Sequence, residues 1–359
     1  MPNRMKVATI LGARPNFIKS MLLSKEFKSR GIDEVVIHTG QHFDKSMSGI
    51  FFEDCELKDP KHKIKLSRRG EVNIISELIV KINEILKEEK PDFTFVIGDV
   101  NSTAAASIAS AKLKIPVVHA EAGLRSDNLY NAEEINRRIT DSVSDTLFTV
   151  TKRSYNNLIK ENYSKDRVFF TGDLEIDSLL FILKKHNMKV KRGNYILVTI
   201  HRQENSDNKE RLTCIIKALS ECGEKVIFPV HPRTQENIKK FNLRALIKNS
   251  EIETIDTQGF INFVKLLANS NKVLTDSGGV RREAYVLNKP VIVPLKKEWK
   301  MEWFPEMFDL GFAVSVDCNE KKLVEAIKGF EPKGKRPQIF GDGKAHKKIV
   351  DLLIKRYSK

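Results

Sequence analysis

The sequence predicts two doubly wound α/β domains in series, and three observations carry this. Short apolar runs alternate with amphipathic, helix-like stretches from end to end. The alternation starts afresh after one polar stretch, "KKHNMKVKRGN". Polar residues able to do chemistry follow directly on the apolar runs rather than scattering among the helices. Strands that alternate with helices in this way form parallel sheets covered on both faces.

In chain order the first strands are "KVATILG", "EVVIHTG", "FTFVIGD", "IPVVHAE", "TLFTV" and "RVFFTGD", with helices expected over 17–30, 71–89 and 103–112 among others. The second series reads "YILVTIH", "KVIFPVH", "IETID", "KVLTD", "PVIVP" and "FAVSV", with helices expected over 209–220, 261–268 and 321–327. The 359 residues suffice for two domains, and a hydrophobic share of 41% supplies each with a core. Doubly wound sheets bind ligands at the carboxyl ends of their strands, and two such sheets in series can face each other across a cleft.

Composition narrows the function classes. Lys and Arg number 62 against 47 Asp and Glu, a formal charge of +15. The lysines are scattered and no aromatic–basic motif of a nucleic-acid module occurs, so no nucleic-acid partner is expected and an acidic small substrate suits the charge. The N-terminus reads as a short strand, and no apolar run approaches the roughly 18 residues of a membrane helix. No membrane insertion is therefore expected, and the expected location is the cytoplasm. Cys55, Cys214, Cys222 and Cys318 fall in no metal or redox spacing, which suits a reducing compartment. His38 and His42 stand four apart, but the Thr-Gly between them breaks a helix, so no metal site is read there.

The strand ends carry the informative residues. "TILGARPNFIK" ends a strand at Gly12 and brings Arg14 and Lys19 to a helix entry. "FVIGDVNST" places Asp99 at a strand tip, and "VVHAEAGLRS" does the same for Glu121. "YNAEEINRRITD" puts Glu133 and Glu134 in the first turn of a helix, followed by Asn136 and Arg137. A carboxylate there is ordinarily dipole compensation. His201 and His231 end strands of the second series. "VLTDSGGVRREA" hands a strand over to a helix through Ser277, Gly278 and Gly279. Adjacent glycines there permit positive φ and a close ligand approach, and the helix N-terminus favours a phosphate. A plain tight turn is the alternative for the glycines alone. The convergence of acids, bases and cations on the strand tips favours the anion seat.

At these residues the sequence resembles the non-hydrolysing UDP-N-acetylglucosamine 2-epimerase family. The resemblance runs in order through "GARPNFIK", "TGQH", "GDVNST", "HAEAGLRS", "EEINRRITD", "TGD", "HRQEN", "PVHP" and "TDSGGVRREA". It implies two Rossmann-like domains facing across a cleft in a glycosyltransferase-B-like fold. Residues 1–173 would form the first and 174–341 the second, with a helix over 342–359 crossing back onto the first. It implies interconversion of UDP-GlcNAc and UDP-ManNAc with no metal and no cofactor. A UDP-N-acetylhexosamine is the expected partner and a homodimer the expected assembly.

The chemistry accounts for the residue types. The C2 proton is weakly acidic and must leave as the anomeric C–O bond breaks. Eliminating UDP gives 2-acetamidoglucal, and re-adding UDP with a proton delivered to the other face inverts C2. Acid–base groups on both sides of the ring are needed, with donors to hold the departing diphosphate. By motif position the resemblance implies Asp99, Glu121 and Glu133 as the carboxylates and His201 as the partner near the diphosphate. Arg14, Lys19 and Arg137 would supply positive charge. Ser277, Gly278 and Gly279 match the diphosphate turn, Glu283 the ribose-binding carboxylate, and Gln258 and Phe263 the uracil side. Bacterial members also bind a second substrate molecule as activator, and Gln41, Arg69 and His231 occupy the corresponding regions. The chain departs from the family at "KKEWKMEWFPE", where a "TERPE"-like stretch is usual, and at "DLGFAVSV", which lacks an expected basic residue. The rival readings are a UDP-sugar-dependent glycosyltransferase of the same fold, a hydrolysing epimerase, and a two-lobed binding protein. The first needs an acceptor groove and the second usually carries a kinase module. The third would need an export signal and no carboxylates at strand tips.

Overall fold

The computed structural model describes residues 4–40, 56–57, 59–67, 70–296 and 304–358, except for the Arg14 side chain. Gln41 and Arg69 lie outside the described residues, as does most of the "KKEWKMEWFPE" segment. The chain divides into two compact units, Met1–Leu180 with Ile339–Lys359, and Phe181–Gln338.

The first unit is built on β1 (Lys6–Leu11), β2 (Asp33–His38), β3 (His62–Lys63), β4 (Phe93–Ile97), β5 (Val117–Ala122), β6 (Thr146–Thr149) and β7 (Val168–Phe170). All pair in parallel, in the order β3-β2-β1-β4-β5-β6-β7. Its helices are α1 (Arg14–Ser29), α2 (Glu71–Glu89), α3 (Asn101–Lys112), α4 (Ala132–Val143), α5 (Lys152–Lys160) and the start of α6 (Leu174–Lys185). Strands covered on both faces must be apolar on both, and "FTFVI" of β4 is buried throughout. β1 shows how the two faces share one strand. Val7 and Leu11 join Phe17 and Phe27 of α1 in one core, whereas Ala8 and Ile10 join Ile82 and Leu86 of α2 in the other. That is the period-two alternation of a strand. The Ala- and Ser-rich sequence of α3 lets that helix lie close against the sheet, with Ala105, Ala106 and Ala109 in the core.

The second unit repeats the plan. It contains β8 (Tyr195–Thr199), α7 (Gln203–Ser206), α8 (Lys209–Glu221), β9 (Lys225–Pro229), α9 (Pro232–Lys240), α10 (Arg244–Lys248) and β10 (Ile252–Ile255). There follow α11 (Phe260–Asn269), β11 (Lys272–Thr275), α12 (Gly278–Val286), β12 (Val291–Val293), α13 (Glu306–Asp309), β13 (Ala313–Ser315) and α14 (Glu320–Gly329). Its parallel sheet runs β10-β9-β8-β11-β12-β13. The last helix, α15 (Ala345–Tyr357), belongs to the first unit, where Ala345, Ile349, Val350 and Leu353 enter the core with Phe17 and Phe27. The Tyr357 ring stacks on Phe93 at 4.9 Å, and its hydroxyl meets Thr146 Oγ1 at 2.9 Å. No helix among the described residues is long and apolar enough to cross a membrane.

Each sheet reverses its winding once, between β1 and β4 in the first and between β8 and β11 in the second. Helices on either side of such a point leave a crevice at the carboxyl ends of the two strands, and ligands bind there. Gly12 and Asp99 follow the first pair of strands, and His201 and Ser277 follow the second.

Candidate active site

At the β1/β4 point one amide side chain fixes the crevice. Asn16 Oδ1 accepts from the Gly12 amide at 3.2 Å and the Ala13 amide at 2.9 Å. Its Nδ2 donates to the Ile97 carbonyl at 3.1 Å, tying the α1 entry to the tip of β4. Gly12 is required by proximity: a Cβ there would lie 2.3 Å from Ser102 Oγ at the start of α3.

Two ion-paired carboxylates occupy the neighbouring tips. Lys19 Nζ lies 2.6 Å from Glu121 Oε2 and 3.7 Å from Glu175 Oε2, and all three residues are buried. Glu121 has φ of 72°, in the left-handed region, where a non-glycine residue costs about 1–3 kcal/mol. The β5–β6 register shifts between Ala120 and Ala122, so Glu121 is the extra residue of a bulge. A bulge re-aims a side chain that a regular ladder would point into one face of the sheet. Asp99 Oδ2 accepts from Arg137 Nε at 2.9 Å and Nη2 at 2.7 Å.

Arg137 projects from α4, is 1% exposed, and also donates to Glu134 Oε2 at 3.1 Å. Burial works against its charge, but Asp99 and Glu134 outweigh it and hold the guanidinium above its ordinary pKa. The Arg137 charge is thus committed to two carboxylates of its own unit. Asn136 Nδ2 donates to the Asp99 carbonyl at 2.9 Å. Glu134 is fully buried and also accepts from the Ser126 amide at 2.9 Å and from Arg138 Nε at 2.8 Å. Glu133, its neighbour in the first turn of α4, is half-buried, and its amide is capped by Asn131 Oδ1 at 2.9 Å.

At the β8/β11 point the organiser is a buried acid, Asp276. Its carboxylate accepts from the His201 amide at 3.1 Å, the Arg202 amide at 3.1 Å and Asn205 Nδ2 at 3.0 Å. The turn after β8 is thereby wrapped around one side chain from the tip of β11. The His201 ring stays 43% exposed, with Nδ1 at 3.5 Å from Asp276 Oδ1. The His231 ring lies 6.2 Å away, and its Nδ1 accepts from the Arg233 amide at the start of α9. Thr199 and Thr275 hydroxyls join the two strand tips at 2.5 Å.

Ser277 caps α12, accepting from the Val280 amide at 3.4 Å. Gly278 and Gly279 are the first two residues of that helix, and neither has positive φ. The conformational freedom expected of these glycines is therefore not used. What they provide is backbone without a Cβ, carrying N–H groups with no partner within the helix. Glu283 is buried further along α12. Gln258 and the half-buried Phe263 follow β10, which the sheet order sets two strands from β8. Gln258 Nε2 donates to the Asp256 carbonyl at 2.7 Å.

The structure thus brings Lys19 to Glu121 and Arg137 to Asp99 within the first unit, and His201, His231 and Ser277 to one rim of the second. Sequence reasoning named Glu134 only as a first-turn carboxylate and missed the other residues that hold these groups: Asn16, Glu175 and Asp276. Asn16 and Asp276 lie inside "GARPNFIK" and "TDSGG", so their position was visible while their bonds were not.

Comparison with known proteins matches this architecture. A family model described as UDP-N-acetylglucosamine 2-epimerase matches residues 25–354. A UDP-N-acetylglucosamine 2-epimerase homolog from Methanococcus maripaludis is 42% identical over 360 residues, covering 97% of this chain and 99% of the relative. The UDP-2,3-diacetamido-2,3-dideoxy-D-glucuronate 2-epimerase of Pseudomonas aeruginosa is 36% identical, covering 98% of this chain and all of the relative. The crystal structure of Methanocaldococcus jannaschii UDP-GlcNAc 2-epimerase in complex with UDP-GlcNAc and UDP superposes with a TM-score of 0.88 at 35% identity, covering 98% of this chain and 100% of that one.

Proposed function

The chain belongs to the UDP-N-acetylglucosamine 2-epimerase family, and on that premise we propose how its residues invert C2 of UDP-N-acetylglucosamine. The enzyme is an epimerase, and the reaction interconverts UDP-GlcNAc and UDP-ManNAc. Its relatives carry that name, and a UDP-GlcNAc complex is known for the Methanocaldococcus jannaschii enzyme. The observation that carries the residue assignment is the placement of Asp99 and Glu121 at adjacent strand tips, each held by a buried cation.

Asp99, Glu121 and Glu133 are the proton-transfer groups. One removes the C2 proton as UDP leaves by anti-elimination, and another delivers a proton to the opposite face of 2-acetamidoglucal before UDP returns. Lys19 places Glu121, and Arg137 does the same for Asp99. Arg14 adds charge for the leaving diphosphate. In the second unit the amides of Gly278 and Gly279, the Ser277 cap and the exposed His201 ring hold the diphosphate. Glu283 takes the ribose, and Gln258 and Phe263 serve the uracil. Gln41, Arg69 and His231 are assigned to a second, activating substrate molecule. An activated ManNAc nucleotide is a donor for glycosyl transfer, so the product feeds the assembly of ManNAc-containing surface glycans. A homodimer is assigned on the family resemblance. The free thiols of Cys214, Cys222 and Cys318 support a cytoplasmic setting.

The deciding experiment supplies UDP-GlcNAc alone. Formation of UDP-ManNAc without any acceptor supports the assignment. Unchanged UDP-GlcNAc, or turnover only with an added acceptor sugar, would overturn it. The Pseudomonas relative makes UDP-2,3-diacetamido-glucuronate the comparison substrate, and slower turnover of it than of UDP-GlcNAc is expected.

A further inference from the structure

Behind the tips of β4 and β5 lies a buried charged cluster that no step above uses. His119, on β5 two residues before Glu121, is fully buried. Its Nε2 lies 2.9 Å from the Gly98 carbonyl oxygen, and its Nδ1 lies 2.7 Å from Asp141 Oδ1. Asp141, from α4, is also fully buried, and its Oδ2 accepts from the Gly123 amide at 3.1 Å and Arg125 Nη1 at 2.7 Å. Arg125 in turn donates from Nε and Nη2 to Glu161, at 2.6 Å each.

A carbonyl oxygen can only accept, so Nε2 of His119 carries a proton. Burial pushes the Asp141 carboxyl up, but His119 and Arg125 outweigh it and hold the group below the usual carboxylate range. An ionised carboxylate can also only accept. The His119 ring is thus held at both nitrogens, between a buried acid and a backbone carbonyl.

The backbone ends of this cluster are what make it more than a buried ion pair. Gly98 immediately precedes Asp99, and Gly123 follows Glu121 by two residues. Gly98 and Glu121 both have left-handed backbone, and Glu121 stands out of the β5–β6 ladder. Glycine adopts that conformation freely, but at Glu121 it persists only where surrounding bonds over-determine it. The His119–Asp141 pair bonds to the chain on both sides of it. It links the tip of β4 to the tip of β5, which carry Asp99 and Glu121.

We propose that His119 and Asp141 are positioning residues that hold Asp99 and Glu121 in the placement proton transfer requires, with Arg125 fixing Asp141. This rests on the reading of Asp99 and Glu121 as proton-transfer groups. Asp141→Asn keeps the shape but removes the charge and one acceptor. It is expected to lower kcat by about ten- to a hundredfold, as small misplacement of reacting groups does. The KM for UDP-GlcNAc and the affinity for UDP should stay within about twofold. His119→Gln should show the same split.

A purely structural role predicts something else: kcat falling only in proportion to the folded fraction seen in a melting curve, which would overturn the proposal. So would kcat within about twofold of the parent in folded variants. Arg125→Gln, at a residue less buried than either, keeps the test open if both variants fail to fold. It removes one bond to Asp141 and should lower kcat with KM unchanged, and an unaltered kcat would overturn the proposal. Loss of turnover in Asp99→Asn and Glu121→Gln but not in Asp141→Asn would remove the clamp alone. Full turnover in all of them would remove the underlying reading.

Discussion

At the tips of β1, β4 and β5 the first unit gathers charges that are already paired, Lys19 with Glu121 and Arg137 with Asp99 and Glu134. At the tips of β8 and β11 the second unit gathers backbone amides, ordered by a single buried acid, Asp276, and by the start of α12. The sheets have the same winding and the same kind of switch point. On the proposed assignment, what differs is the task. A group that takes up and releases a proton changes charge in each cycle, so it needs fixed counter-charges to set its position and its affinity for the proton. A diphosphate seat needs donors that never change, and backbone N–H groups at a helix start are such donors.

The comparison breaks most visibly at the carboxylates. Asp99→Asn, Glu121→Gln and Glu133→Gln keep shape but cannot exchange a proton. At least two of the three should lose about a hundredfold or more in turnover, as for loss of a general acid or base. UDP affinity, which the proposed assignment gives to the second unit, should hold. Near-normal turnover in all three would show that the chemistry lies elsewhere.

Asp276→Asn tests the organiser of the second unit. One oxygen that accepted amide bonds becomes a donor facing donors. A stability loss of about 2 kcal/mol is expected from the unmatched group, together with weaker UDP binding, as read by a melting curve and a calorimetric titration. Unaltered values of both would mean that the turn after β8 holds itself.

Gly278→Val sharpens the same point. Helical φ at this position means that valine fits the backbone, so the melting temperature should change little. A branched side chain in the phosphate space should weaken UDP binding by at least about tenfold, or about 1.4 kcal/mol. If the glycines serve only the turn, the melting temperature falls and UDP affinity of the folded protein does not.

The two regions also differ in how far they can be read from sequence. Central parallel strands are continuous apolar runs, so β4 and β8 stand out, and the polar residue that ends each run, Asp99 or His201, stands out with it. The two-residue strand β3, which among the described residues pairs only with β2, leaves no pattern. The bonds of Asn16 and Asp276 run to backbone that is distant or irregular, which spacing does not encode. The bulge at Glu121 depends on how β5 meets β6. Arg137 is visible as a basic residue, but its commitment to Asp99 requires α4 to lie against the β4 tip. Positive φ at Gly278 and Gly279 was expected from residue type, and the helix begins early enough to make it unnecessary.

On the proposed mechanism, carboxylates of the first unit remove and replace the C2 proton while UDP departs and returns. Proton NMR of UDP-GlcNAc incubated with the pure enzyme in D₂O tests it directly. Elimination and re-addition must exchange that proton with solvent. Deuterium is expected at C2 of both UDP-GlcNAc and UDP-ManNAc as they equilibrate, and epimerisation with the C2 proton fully retained would contradict this mechanism.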